Sequence, residues 1–439
     1  MGNNNSTSNN FAISPKNYLI ETADLTANNG LVVDFSGLIQ NIKITESLYQ
    51  SGLIVEIYCL DSLNMIHELK MSGNEKINLH ILREEEKGGK KEIKLELYIS
   101  EIKDYTLPQI SSRAYTLECV SKHVYLNNLK RLDQAFNGNI TSLINNIVKT
   151  QLKSEIDIRT TSASNIKGIY PNIQPLQGIS WLLRNCYDES TPYYFFETAA
   201  NGLQLVSYAT LQKTADKPYI TYNNSPFMGS NFLDSPEDVF HEEKEKIEKI
   251  VSNLNISKLS STSNGAYASQ LYKIDIAKKY FKDPEPFLIS NNKKLNDNEP
   301  LTDDMDIDGN KIKDFKLAKN HYISYNSLSH GKDVKNYHAP TDKTLLQSMS
   351  YHHNLDTLKQ ELIVPGDFDM ECGKIVDLLI IKNADITEEM IDDDKFTDDI
   401  LSGKHLVTGV THNFTAEGYS MNILLKKDSF SKKLVGLTG

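Results

Sequence analysis

Gly30-Leu-Val-Val-Asp-Phe-Ser-Gly-Leu-Ile-Gln-Asn-Ile-Lys-Ile-Thr-Glu-Ser-Leu48 opens the stretch, running on to Ile81, that decides the fold. Ile42 and Ile44 alternate with Lys43 and Thr45. Leu53, Val55, Ile57 and Cys59 alternate with Glu56 and Tyr58, and Ile77, Leu79 and Ile81 with Asn78 and His80. Strict alternation sends apolar side chains to one face of a sheet and polar ones to the other. Tyr-Gln-Ser-Gly (49–52) and Met-Ser-Gly-Asn-Glu (71–75) separate the runs and supply turn chemistry. A fourth run places Ile93, Leu95, Leu97 and Ile99 against Lys94, Glu96, Tyr98 and Ser100. The loop Glu-Glu-Glu-Lys-Gly-Gly-Lys-Lys (84–91) joins it to the third, with Gly-Gly as a hairpin corner. The expectation is an antiparallel barrel or sandwich over residues 15–114.

Working outward, the chain has 439 residues, too many for one ordinary core. Its 39% hydrophobic and 24% charged content fit a globular protein. No uninterrupted apolar run approaches the roughly 20 residues of a membrane span. Residues 1–14 read as a disordered polar tail; Met1-Gly2 with Ser6 fits the myristoylation pattern only formally. Cys59, Cys119, Cys186 and Cys372 are scattered, without any Cys-x-x-Cys, which argues for buried thiols in a reducing compartment. A formal charge of −11 opposes broad phosphate binding.

Beyond the first β-region, Tyr115–Val120 reads as a strand. Ile140, Leu143, Ile144, Ile147, Val148 and Leu152 then fall on one face of a helix. A second helix covers Leu176 to Tyr187, with Ile179, Leu182, Leu183 and Cys186 inward and Trp181, the sole tryptophan, beside them. A hairpin follows, Tyr193–Glu197 and Leu203–Ser207 around an Asn201-Gly202 turn. Residues 115–210 are thus an α+β module, and 211–354 a polar insertion. Within the insertion, Ser235-Pro236-Glu237-Asp238 predicts the start of a surface helix carrying Val239, Phe240, Ile247, Ile250, Val251 and Leu254. Gly265–Ile276 predicts a strand and Asp283–Tyr325 long loops. Alternation returns from Leu358, through Gly373–Ile381, Gly403–His412 and Tyr419–Leu425, giving a second β-barrel domain over 355–439. The predicted fold is α+β, mainly β: two small antiparallel barrels with the module and the insertion between them.

Three local patterns, in this order, carry a family resemblance. The first is Ile42-Lys43-Ile44-Thr45-Glu46-Ser47-Leu48 leading to Ile57-Tyr58-Cys59-Leu60-Asp61-Ser62. The second is Ile179-Ser180-Trp181-Leu182-Leu183-Arg184 followed by the 193–207 hairpin. The third is Val364-Pro365-Gly366, Gly373-Lys374, Ser402-Gly403-Lys404-His405-Leu406-Val407 and His412-Asn413-Phe414. Together they make the chain similar to the central baseplate hub protein of contractile-tailed phages, the family of the T4 hub. The resemblance implies a homotrimer whose two barrels per subunit form a ring of six, adapting a threefold spike to a sixfold tail tube. It also implies wedge partners, DNA passing through the lumen without specific binding, no membrane insertion, and a place in the virion after assembly in the host cytoplasm.

The chain lacks the Gly-x-Ser-x-Gly, His-Glu-x-x-His, P-loop and dinucleotide-binding patterns. His241-Glu242-Glu243-Lys244-Glu245 has no second histidine and predicts a solvated helix, and His352-His353 predicts a surface loop. Asp304-Met305-Asp306-Ile307-Asp308-Gly309 opens like a calcium loop, yet Phe315 stands where the bidentate Glu belongs, so an acidic turn is expected. Asn413-Phe414-Thr415 is a chance sequon. No catalytic, cofactor-binding or metal-binding residue is assigned, and no enzyme activity or cofactor is expected. A structural assembly protein is the reading. A tail-associated cell-wall hydrolase with paired carboxylates and a receptor-binding tail protein are the alternatives.

Overall fold

The alternating runs fold as strands because their apolar sides meet a shared core. The computed structural model describes residues 14–84, 89–109, 112–162, 165–186, 191–224, 243–254, 339–356, 358–382, 397–431 and parts of 260–325. The first region holds β1 (Leu19–Thr26), β2 (Val32–Asp34), β3 (Ile39–Ser47), β4 (Ile54–Asp61), α1 (Met65–Glu68), β5 (Lys76–Glu84), β6 (Lys90–Gln109) and β7 (Ser112–Ser121). Ile42, Ile44, Val55, Ile57, Ile77, Leu79 and Ile99 are all buried in one core, as the alternation requires.

The module follows as α2 (Lys122–Asn128), β8 (Ala135–Asn139), α3 (Ile140–Thr150), β9 (Asp157–Ile158), β10 (Asn165–Ile169), α4 (Pro175–Leu183), β11 (Tyr193–Thr198), β12 (Gly202–Ser207) and α5 (Tyr208–Gln212). Asn139 caps α3, its side chain accepting from Thr141 N at 3.0 Å. Gln174 and Gln177 form a capping box on α4, with Pro175 in the first turn. Ile144, Ile147, Val148, Ile179, Leu182 and Cys186 meet in a core separate from that of the first region.

The insertion comprises β13 (Thr221–Asn223), β14 (Lys249–Leu254), β15 (Ala268–Asp275), β16 (Tyr280–Leu288), β17 (Asp306–Ile307), β18 (Asn310–Lys311), β19 (Asn320–Tyr325) and α6 (Ala339–Leu355). Two expectations are corrected here. The predicted surface helix is helical at 243–245 but gives way to a strand over 249–254, because β20 offers that segment an antiparallel partner from Lys249↔Ile363 to Leu254↔Leu358; residues 225–242 lie outside the described residues. The predicted loops of 283–325 instead hold the end of β16, the β17–β18 hairpin and β19, and β16 and β19 flank β15, which falls within the strand expected over 265–276.

The last region is β20 (Leu358–Pro365), β21 (Ile375–Leu379), β22 (Gly403–Thr415) and β23 (Gly418–Lys427). Instead of two separate barrels, both β-regions belong to one 13-stranded sheet, and the described residues close no barrel. The reason is the length of β22. Its first residues pair with β21 (Leu406↔Ile375), and the rest outruns β21 and pairs antiparallel with β3 from Gly409↔Ser47 to Phe414↔Ile42. The two halves of the sheet repeat one strand order, β3-β4-β7-β6-β5-β1 and β14-β20-β23-β22-β21-β13, in the same chain order. They differ at the final strand: β1 is antiparallel to β5, whereas β13 is parallel to β21.

Candidate assembly interface

The repeat extends to a bulge. In β6, Ile99 pairs with Cys119 but Glu101 pairs with Glu118, leaving Ser100 over. In β22, Val407 pairs with Leu425 but Gly409 pairs with Leu424, leaving Thr408 over. Ser100 Oγ donates to Glu118 O at 3.0 Å, and Thr408 Oγ1 to Leu424 O at 3.2 Å. Bulges of this kind change a strand's direction and end its pairing. Before the bulge each strand has its hairpin neighbour, β5 or β21. After it, β22 has β3, while β6 has no partner on that side among the described residues.

Burial follows pairing. Val410, His412 and Phe414 of β22, where it pairs with β3, are buried. On β6, past the bulge, Tyr105 is 43% and Leu107 64% exposed. β14, which occupies the place of β3 in the second half, pairs among the described residues with β20 alone, and its Val251 is 42% exposed. Among the described residues, one chain thus carries one filled junction and the two open edges of a second. A long exposed edge with apolar side chains is a template for another strand.

The filled junction shows what holds such a seam. Glu46 of β3 is buried. It accepts from Ala199 N at 2.7 Å and Cys372 N at 3.3 Å, and its Oε1 lies 3.3 Å from His412 Nε2. His412 Nδ1 meets Tyr419 OH at 2.8 Å. Nearby, Glu371 accepts from Thr198 Oγ1, Asn201 Nδ2 and Gln204 Nε2 at 2.8–3.0 Å. Asp367 is fully buried and takes Tyr219 OH at 2.7 Å and Lys244 Nζ at 2.8 Å. Burial alone would raise its pKa, but the charge and hydrogen bond of Lys244 overcome this and hold the carboxyl below the usual value. These carboxylates bind the module and the 366–372 loop to the sheet.

The residues singled out in the sequence fall as follows. Lys244 is drawn onto Asp367, so the segment from His241 is not simply solvated; His241 and Glu242 lie outside the described residues. His352 and His353 stand in α6, not in a surface loop, and His352 packs on Tyr49 and Tyr194 with ring centroids 6.2 and 5.8 Å away. Asp304 is outside the described residues; Asp308 is exposed in the turn between β17 and β18, at φ 53°. Asn413 is in β22, its amide on Asn422 Oδ1 at 3.2 Å. All four cysteines are free and buried. The bulges were missed, although the three-residue step from Ile99 to Ile102, where alternation demands two, marks the first of them.

No family model matches the chain, and no curated protein matches it in sequence. Solved structures do. The tail protein from Neisseria meningitidis MC58 superposes with a TM-score of 0.55 at 10% identity, over 95% of this chain and 99% of that one. The 43 kDa tail protein of prophage MuSo2 from Shewanella oneidensis gives 0.50 at 11% identity, over 93% and 99%. The likeness spans both β-regions and what lies between them, and the chain has the fold of these tail proteins.

Proposed function

We propose that the chain is a structural tail protein of a contractile-tailed phage, a homotrimeric baseplate hub joining a threefold spike to the sixfold tail tube. The observation that carries this reading is the second, unfilled junction. A heterologous contact that recurs between copies closes into a ring when its rotation permits. Three chains, each joining two like half-sheets through β22–β3, close by three β6–β14 junctions, giving six attachment sites above a threefold centre. The fold shared with two tail proteins supports the same place in the virion. DNA crossing the lumen is consistent with lysines of the sheet being ion-paired, Lys43 with Glu56 at 3.1 Å and Lys76 with Glu96 at 2.7 Å.

The repeat supplies the register. Ile44-Val55-Cys119-Ile99 form one row across the sheet, and Ser252-Gln360-Leu425-Val407 the matching row. In the filled junction Thr411 faces Thr45. The same offsets set Lys103 of one copy opposite Asn253 of the next. Facing residues of antiparallel strands are close enough for a disulfide. The variant carrying both Lys103→Cys and Asn253→Cys is expected to oxidise to a covalent trimer, with light scattering giving three monomer masses for the unmodified protein. A single-chain mass with no interchain disulfide would overturn the proposal.

A further inference from the structure

On the module, α4 borders a groove of about 460 Å³ lined by Pro171, Ile173, Leu176, Gln177, Trp181 and Arg184. Trp181 is held edge-on by Phe136 and Tyr170, with centroids 5.6 and 6.3 Å away, so its ring is fixed before anything binds. Two further apolar side chains of the module are exposed. Leu129, which follows the two asparagines of α2 that hold the start of α4, is 68% exposed, and Ile169, two residues before Pro171, is 59% exposed. An apolar groove centred on tryptophan with arginine at its rim is characteristic of docking sites.

The polar groups at the groove decide what docks. The Gln177 carbonyl already accepts from Gln174 N at 3.3 Å, and Ser180 Oγ donates to Leu176 O at 3.0 Å. The indole N–H of Trp181 and the guanidinium of Arg184 have no partner among the described residues. The groove therefore offers donors, one of them cationic, and none of its lining residues is acidic. The lining thus carries one cation and no acid in a chain of net charge −11. We propose that the groove receives an acidic segment of another protein, an aliphatic side chain lying on Trp181 between Ile173 and Leu176 with a neighbouring carboxylate on Arg184.

Because Trp181 is the sole tryptophan, its fluorescence reads the groove directly. The probes are end-capped octapeptides of alternating Leu and Asp, the same with Asn, and the same with Lys. The Leu-Asp peptide is expected to shift the emission saturably, with the Leu-Asn and Leu-Lys peptides at least tenfold weaker. Arg184→Gln, checked for folding by circular dichroism, should weaken the acidic peptide about tenfold and leave the neutral one unchanged. Equal binding of all three peptides, or none to millimolar concentration, would overturn the proposal. So would a shift produced by raising the protein concentration alone, which would make a second copy the occupant. A shift with phosphatidylglycerol vesicles but not with the Leu-Asp peptide would make it a membrane.

Discussion

Lys427 is buried in β23, its Nζ donating to Ser402 O at 2.6 Å. Burial pushes its pKa down to about 8, against the partial opposition of Asp398, Asp428 and Asp377. The sign of the consequence is fixed. Between about 8 and the unfolded value near 10.4, the unfolded chain binds the proton and the folded one does not, so this group makes stability rise with pH across that window. Urea midpoints from pH 7 to 10 are expected to show a component of that rise which Lys427→Met removes. A different kind of residue, Ile147, is buried in α3 among Ile144 and Val148. Ile147→Asp buries an unpaired charge and should cost about 3–5 kcal/mol, read from the midpoint shift. The helical spacing made Ile147 legible in the sequence. Lys427, Glu46 and His412 were not, because a polar residue in an alternating strand is read as facing water unless its partner is known.

Elements made by local periodicity came through: α3 and α4 have their caps and stripes in contiguous sequence. β14 did not. Its Ile250 and Val251 suit a helix stripe or an edge strand equally, and β20, more than 100 residues on, decides for the strand. For the same reason the His352 pair looked like loop: the residues that cover it, Tyr49 and Tyr194, belong to distant elements. Glycine at the end of β20 is an element-scale constraint of another sort. A Cβ on Gly366 would overlap the ring of Tyr419, which is fully buried and hydrogen-bonded to His412. Gly366→Ala must displace that ring and is expected to lower stability by about 1–3 kcal/mol, with loss of near-ultraviolet dichroism from the tyrosine.

At the scale of the molecule, the sequence showed two β-regions of one kind but not their union. Positions that correspond in the repeat differ in chemistry, Ile44 with Ser252 and Val55 with Gln360, so no internal likeness is visible until the hydrogen-bonded rows are compared. The candidate interface was illegible for that reason: it is defined by what one half of the sheet has and the other lacks. The union also has a consequence in time. Glu46 and His412 face each other across the seam although 366 residues separate them. At a synthesis rate of about 5–20 residues per second, β3 leaves the ribosome about 20–70 seconds before the strand that covers its edge. Throughout that interval Ile42 and Ile44 sit beside an unoccupied edge, a hazard of long-range pairing. The nascent chain therefore needs shelter, from a chaperone or from transient pairing elsewhere, for most of the time it takes to be made.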